Sequence, residues 1–256
     1  MNKQTLRWAV LAILSTLLTV FLIACGSDVS DSSSSTSSSD SGDDLASTEE
    51  EGSTEGDGGR ANSSYFYIPK DGDKVKTEIY SVTTYNDLPD SESTSVSYAW
   101  YSGPEMIHGV EVLKCYLSPE SFNGTVSSIA YLAVADDEHR LYKTDFNGGS
   151  HIYEPYLPMP LNMRAGELYS YSYSYTNTHT GETSNCVVRY SNIRSSSIST
   201  RYGAYSDCLK FTRTIYLNDS IVSSVTWWYA ANVGAIRYTT SGDGWSTTSD
   251  YKYTWY

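Results

Sequence analysis

The stretch Glu167–Thr176, ELYSYSYSYT, alternates tyrosine with serine along nearly its whole length. Successive side chains of a β-strand point to opposite faces, so this pattern predicts a strand with one tyrosine face and one serine face. A second stretch, Asp207–Leu217 (DCLKFTRTIYL), places most of its large apolar residues on one face, with Arg213 as the exception. Because the rest of the chain after residue 64 is also rich in Tyr, Thr, Ser and Val, we expect an all-β fold.

An internal repeat divides this all-β region. A shift of 96 residues places 113–114 on 209–210, which are Leu-Lys in both copies, and it also places Tyr142 on Tyr238. Tandem copies of this kind bury each other's apolar faces. We therefore predict an antiparallel meander of two related halves, 65–158 and 159–256, that forms a half-barrel, a barrel-like body or a sandwich.

The same shift bears on the aromatic segment Thr226–Thr240, TWWYAANVGAIRYTT. It places Tyr131–Val134 (YLAV) on Trp227–Ala230 (WWYA). Aliphatic residues replace aromatic ones easily in a core but not in a site that stacks on a ligand. We interpret the aromatics as packing residues and 232–234 as a tight connection between two strands, where glycine permits a close turn.

The N-terminus reads as an export signal. Lys3 and Arg7 precede an uncharged apolar run, Trp8–Ile23, that is short for a stable membrane span. The run ends in Leu22–Cys25 (LIAC), which resembles the bacterial lipobox. The resemblance implies a lipoprotein signal peptide over 1–24 and lipidation of Cys25. An ordinary signal peptide with a chance cysteine, and an uncleaved membrane helix, are the alternatives.

The segment 25–64 follows as a low-complexity tether. Between Gly26 and Ser64 it holds ten acidic residues against Arg60 alone, and it has almost no large apolar residues. Such a composition cannot bury enough surface to fold, so we predict a disordered acidic spacer. The formal net charge of the whole chain is −13, and no basic cluster is present, which argues against a nucleic-acid partner.

Two patterns in 160–240 are similar to a family of bacterial lipoproteins with a repetitive antiparallel half-barrel. The first pattern is Pro-Leu, followed by glycine and an acidic residue, and then by aromatic residues two positions apart. The second pattern is Tyr-Ala, followed after two residues by Val-Gly, and then after one residue by an aliphatic residue and a basic residue. The family form usually has Pro-Gly where this chain has Ala231-Asn232, and the first half has Asp137-Glu138 in place of Val-Gly. The resemblance implies a fold and an envelope location, with no known activity. The matching residues are Pro160, Leu161, Gly166, Glu167, Tyr169 and Tyr171, then Tyr229, Ala230, Val233, Gly234, Ile236 and Arg237.

Three cysteines follow the lipobox. Cys186 and Cys208 lie on what the pattern predicts to be consecutive strands, roughly symmetric about the connection at 194–201. An exported protein can keep a disulfide, so we hypothesise a Cys186–Cys208 bridge. Cys115 is in phase with apolar neighbours, which favours a buried, inert thiol.

The acidic run Asp136-Asp137-Glu138 is the strongest candidate for a metal site, with help from Asp145. A charged turn is the common reason for such a run, and neighbouring residues in a hairpin point in different directions. We therefore expect no metal and no cofactor. Phosphate-loop, dinucleotide and Cys/His metal motifs do not occur in the sequence.

The tyrosine stripe Tyr169, Tyr171, Tyr173 and Tyr175 is the best candidate for a binding surface. Exposed aromatic rows on sheets stack on sugar rings or lipid chains. The alternative is that these rings fill the core face of the sheet, and the sequence favours that alternative.

These observations predict a lipid-anchored bacterial envelope protein, on the outer membrane if the host is Gram-negative because no Asp follows Cys25. The leading function is non-catalytic binding or scaffolding, with a lipid, glycan or protein partner and the membrane contacted through the anchor. The alternative is an envelope hydrolase that uses loop carboxylates.

Overall fold

A computed structural model describes residues 65–135, 137–163 and 166–256, without the side chains of 194–196. Within these ranges the chain forms antiparallel β-strands and no α-helix, and so offers no helix that could cross a membrane. The signal peptide, Cys25, the tether and Asp136 lie outside the described residues. The strands are β1 Lys74–Tyr85, β2 Ser91–Ile107, β3 Val110–Ser118, β4 Ser128–Val134, β5 Glu138–Phe146, β6 Gly149–Pro160, β7 Leu168–Asn177, β8 Glu182–Thr200, β9 Gly203–Leu217, β10 Ser220–Ala230, β11 Gly234–Gly242 and β12 Trp245–Trp255.

The strands follow one another round a closed barrel in chain order. The barrel closes between the first and last strands, whose register runs from Val75 opposite Trp255 to Tyr85 opposite Trp245. Closure leaves no free sheet edge between β1 and β12. The prediction of an antiparallel all-β meander is confirmed, and the barrel is the shape observed. The half-barrel and the sandwich are wrong, because both require the sheet to end before β12 meets β1.

Aromatic and aliphatic side chains fill the interior, and the chain itself closes one end. We call this end proximal because the chain enters the barrel there, just before Lys74; the turn between β9 and β10 lies at the opposite, distal end. Phe66 is 3% exposed, and its ring centroid lies 4.8 Å from that of Tyr229. Tyr65 is also buried and donates its hydroxyl to the carbonyl of Asp207, 3.2 Å away. The segment 65–66 therefore plugs the proximal end.

The barrel wall has one weak seam in the described register. β6 and β7 pair only from His151 opposite Asn177 to Glu154 opposite Ser174. Side chains of β8 connect to the segment beyond that ladder: the Tyr190 hydroxyl donates to the carbonyl of Pro158, and Asn192 Nδ2 donates to the carbonyl of Met163 at 3.0 Å. Side chains thus replace part of the backbone ladder at this seam.

The gap-free repeat alignment is wrong by one residue at β4 and β10. Trp227 belongs to the interior core, whereas Tyr131 packs in a separate cluster with Val112, Ala133 and Tyr142. A slip of one residue moves a side chain to the other face of a sheet. The ladder register shifts after Tyr131 between β4 and β5 and after Trp228 between β10 and β11, so a match between the two segments would place Tyr131 on Trp228.

The aromatic segment is part of the fold. Trp227 and Tyr229 are fully buried in the core, while Trp228 packs in an outer cluster with Cys208 and Ile236. The strand ends at Ala230, and β11 begins at Gly234 with φ of 93°. The tight connection expected over 232–234 is therefore observed.

Candidate functional site

A groove of about 500 Å³ crosses β7, β8 and the turn between β9 and β10. The interior residues Tyr173 and Cys186 border it, and the outward-facing residues between and beside them form its walls. Ligand sites typically have volumes of about 300–1,000 Å³, so the groove is large enough for one or two sugar-sized rings. The lining residues are Glu154, Ser172, Tyr173, Ser174, Asn185, Cys186, Val187, Tyr216, Asn218 and Asp219.

The seam in the barrel wall shapes one side of the groove. Glu154 is the last β6 residue paired with β7, and its partner is Ser174. Ser174 Oγ donates to the Glu154 carbonyl at 3.4 Å, and the Glu154 side chain is exposed. Because β6 leaves the ladder here, the groove opens where the two strands part.

The tight turn between β9 and β10 shapes the other side. Asn218 and Asp219 both have positive φ, at 49° and 61°. Two consecutive residues with positive φ make the type I′ turn that suits a two-residue hairpin. The turn projects an amide and a carboxylate over the groove.

Tyr216 supplies the aromatic wall. It lies opposite Val187 on β8, and the guanidinium of Arg189 sits 4.5 Å from the centre of its ring. Arg189 is exposed, so the two side chains stack on the outer surface of the barrel. The cation–π contact holds the Tyr216 ring beside the groove.

The groove combines hydroxyls, amides, two carboxylates and two aromatic rings, of which Tyr173 is buried in the core and Tyr216 lies on the outer face. Ser172, Ser174 and Asn185 can both donate and accept hydrogen bonds, while Glu154 and Asp219 accept them when ionised. A phenol ring adds a flat apolar surface beside these groups. This set suits an uncharged, polyhydroxylated ligand, and the carboxylates disfavour an anion.

The predicted tyrosine surface is at most partly exposed. Tyr173 is 5% exposed, and Tyr169, Tyr171 and Tyr175 pack against the interior core. The stripe therefore faces inward, and the serines between the rings face out. Of the four tyrosines, Tyr173 alone borders the groove.

The predicted Cys186–Cys208 disulfide is not formed, and both thiols are free and buried. Cys186 lies opposite Leu217, whereas Cys208 lies opposite Ser195. At about 3.3 Å per residue, this register separates the two positions by roughly 30 Å along the sheet. A disulfide needs Cα atoms within about 7 Å, so the bridge prediction is wrong in this register. Cys115 is fully buried, and burial raises the pKa of its thiol to about 12, as expected for an inert thiol.

The acidic run does not form a metal centre in the part of the chain that the structure describes, where no three metal-ligating side chains come together. Glu138 Oε1 instead pairs with Arg140 Nε at 2.5 Å and accepts a hydrogen bond from the Tyr156 hydroxyl at 3.1 Å. Asp145 pairs with Lys143 at 2.8 Å. Burial alone would raise the pKa of Asp145, but hydrogen bonds from neighbouring groups including Lys143 lower it.

The sequence does not reveal the groove, because the residues of its two sides are far apart in the chain. The signal for one side was present, since Asn218-Asp219 reads as a turn. Glu154 carries no such signal, and only the order of strands places it beside β7. The short β6–β7 ladder that opens the groove also leaves no mark in the local alternation pattern.

Comparisons with known proteins identify no family. No family model matches the chain, and no curated protein sequence matches it. Two solved structures show a similar arrangement. One is a candidate lipoprotein from Parabacteroides distasonis, 13% identical, covering 74% of this chain and 98% of its own, with a TM-score of 0.40. The other is a candidate exported protein with a YmcC-like fold from Bacteroides fragilis, 10% identical, covering 74% of this chain and 99% of its own, also at 0.40. Similarity at this level carries no argument about function.

Proposed function

We propose that this chain is a lipid-anchored bacterial envelope protein that binds a neutral glycan in the outer groove without chemical turnover. The groove is the observation that carries the glycan proposal, because hydroxyls, amides and carboxylates surround a Tyr216 ring fixed by Arg189. The lipobox-like Leu22–Cys25 supports the anchor.

The position of the groove suits this role. The chain enters the barrel at the proximal end, through the plug at 65–66, while Asn218 and Asp219 lie in a turn at the distal end. A protein tethered through its N-terminus would therefore hold the groove on the part of the barrel that is farther from the membrane.

The anchor is tested by acyl labelling in a bacterial host. We expect wild-type protein to incorporate labelled palmitate and to fractionate with membranes. Cys25→Ser is expected to lose both properties, because the thioether that carries the lipid cannot form. Cys115→Ser is the matched control and should keep both, since that thiol is buried in the barrel. Unlabelled wild-type protein would contradict the anchor.

Glycan binding is tested on an array of neutral and acidic bacterial and host glycans, followed by calorimetry on the best neutral binder. Tyr216→Ala is expected to weaken binding about tenfold, an effect of about 1.4 kcal/mol, because the stacking face is lost. Tyr116→Ala is the matched control, since Tyr116 is also a half-buried ring on the outer face of a strand, stacked on Trp100 far from the groove. Equal effects of the two substitutions, or a preference for acidic glycans, would contradict the proposal.

A hydrolase is the second candidate because Glu154 and Asp219 line the same groove. Paired carboxylates across a glycosidic bond are the usual machinery of glycoside hydrolysis. Mass spectrometry of the bound glycan after prolonged incubation separates the two functions. We expect intact glycan; cleavage that Glu154→Gln abolishes would replace the binding proposal with the enzymatic one.

A further inference from the structure

Arg213 is a charged side chain inside the barrel. It lies in the middle of β9 with 1% of its surface exposed, between Tyr190 of β8 and Val225 of β10. Among the described residues, neither its Nε nor its Nη1 has a hydrogen-bond partner, and no carboxylate forms an ion pair with it. Burying a charge without a partner is among the most costly arrangements in a protein, so this guanidinium calls for a counter-group.

The polar groups around Arg213 point to the charge of that counter-group. The guanidinium lies 5.1 Å from the centre of the Trp227 ring, and the Trp227 Nε1, which can only donate, is also buried without a partner. Tyr229, two residues along β10, and Tyr238, opposite Trp227 on β11, also have buried hydroxyls with no partner in the described part of the chain. Among the described residues, the unpartnered atoms near Arg213 are donors, hydroxyls and one amide oxygen, Asn192 Oδ1, two residues from Tyr190 on β8. All of them belong to neutral groups, so an anion is the group that would balance the charge of Arg213.

Tyr229 and Tyr153, another buried tyrosine, keep their hydroxyl protons over a wide pH range. Burial raises the pKa of Tyr229 well above its usual value, and it raises that of Tyr153 to about 12, although Arg213 opposes both shifts. Phenols that stay protonated can donate a hydrogen bond to an anion, and they add no negative charge that would neutralise Arg213 from within.

We propose that the barrel interior binds a small oxyanion of the phosphate or carboxylate class, held by Nε and Nη1 of Arg213 beside the indole of Trp227. A guanidinium presents these two N–H groups as a planar fork that matches two oxygens of one anion. The ligand is small because closely packed aromatic rings surround the site, with Tyr190, Phe211 and Trp227 each at most 1% exposed. This site is separate from the outer groove, so each proposal can fail while the other stands.

The test measures the thermal stability of the mature, full-length protein in detergent, first in a chloride-only buffer and then with added inorganic phosphate or acetate at constant ionic strength. A ligand that binds only the folded state raises Tm with concentration until it saturates. We expect wild type to gain about 5 °C or more at a hundredfold excess over the dissociation constant. The rise in Tm is followed in separate titrations with phosphate and with acetate. The anion whose effect saturates at the lower concentration belongs to the preferred class.

Arg213→Met is expected to abolish the saturable rise and to fold at least as well as wild type in chloride alone, because it replaces an unpaired charge with an apolar side chain of similar length. Arg213→Lys keeps the charge but loses the fork, and should weaken the anion effect about tenfold. Arg189→Met removes an exposed arginine and should leave the effect unchanged. If Arg213→Met does not fold, the rise in Tm with added anion is compared between Arg213→Lys and Arg189→Met, and a smaller rise in Arg213→Lys alone supports the proposal. An equal response of wild type and the Arg213 variants, or no saturable response in wild type, would overturn the proposal.

Discussion

Asp219 adopts a backbone conformation that glycine adopts more easily. Its φ of 61° is the left-handed region, where a Cβ atom costs energy. We expect Asp219→Gly to stabilise the protein by about 0.5–1 kcal/mol and to weaken glycan binding, because the turn relaxes while the groove loses a carboxylate. Chemical denaturation and calorimetry measure the two effects. Asp87→Gly is the control, since Asp87 is an exposed carboxylate in another connection and should give neither effect.

Two buried histidines make stability depend on pH. His139 is 3% exposed and His151 is 2% exposed, and burial lowers the pKa of each from 6.5 to about 4. The unfolded chain takes up a proton on each ring near pH 6.5, whereas the folded protein resists protonation until about pH 4. The free energy of unfolding should therefore fall as the pH drops from 6.5 to 4, by on the order of 3 kcal/mol for each histidine.

Single substitutions assign this effect. His139→Leu should flatten part of the slope of stability against pH, because it removes a group whose pKa differs between the folded and unfolded states. Neither ring nitrogen of His139 bonds to any residue that the structure describes, so the substitution breaks no hydrogen bond there. His179→Leu should leave the slope unchanged, since His179 is exposed in a turn. Urea titrations at several values between pH 4.5 and 7.5 provide the measurement. An unchanged slope in His139→Leu would contradict the buried, neutral state of that ring.

At the scale of the strand, Gly103 allows β2 to approach β3. The ladder between these strands shifts register after Ser102, and a Cβ on Gly103 would lie 3.0 Å from the carbonyl oxygen of Val112 and 2.9 Å from Leu113 Cδ2. Because one of those contacts is backbone, Gly103→Ala should destabilise the protein by about 1–3 kcal/mol. Hydrogen exchange should also become faster along β2 and β3. Ser102→Ala, an exposed neighbour, should change neither measurement; an equally stable Gly103→Ala would show that the strands do not lie this close.

The sequence predicts individual strands well and their irregularities poorly. Alternation identified the β7 and β9 stretches. The shift failed at β10 because a bulge and a shorter turn change the spacing between the halves, and identity counts do not detect a one-residue slip. For the same reason the bridge between Cys186 and Cys208 was wrong: adjacent strands were correctly expected, but the register between them was not available from local pattern.

At the scale of the whole molecule, the plug at the proximal end packs the first described residues into the core. Phe66 packs against Phe211 and Tyr229, with ring centroids 6.0 and 4.8 Å away. Phe66→Ala should destabilise the barrel by about 3–5 kcal/mol, as measured by urea denaturation. Ile68→Ala is the matched control, because Ile68 is 40% exposed two residues later and should cost much less. Similar costs for both variants would show that the plug is not part of the cooperative fold.

The sequence could not predict the two candidate sites, for different reasons. The groove depends on strand order, which brings Glu154 of β6 beside the turn at Asn218 and Asp219. The interior site rests on Arg213, which the pattern did reveal as an interruption of an apolar face. The pattern could not show which groups lie near the Arg213 side chain. Only the packed barrel shows that no described carboxylate pairs with that guanidinium.

The barrel can close only when β12 is available to pair with β1. Residues 86–244 separate Lys74–Tyr85 from its partner Trp245–Trp255, so β1 is synthesised well before β12. Until β12 is made, the sheet is open and has two free strand edges. Each edge can pair with a strand of another molecule. A chain that lacks β12 would therefore keep the edges of β1 and β11 exposed, and it would aggregate rather than form a slightly smaller barrel.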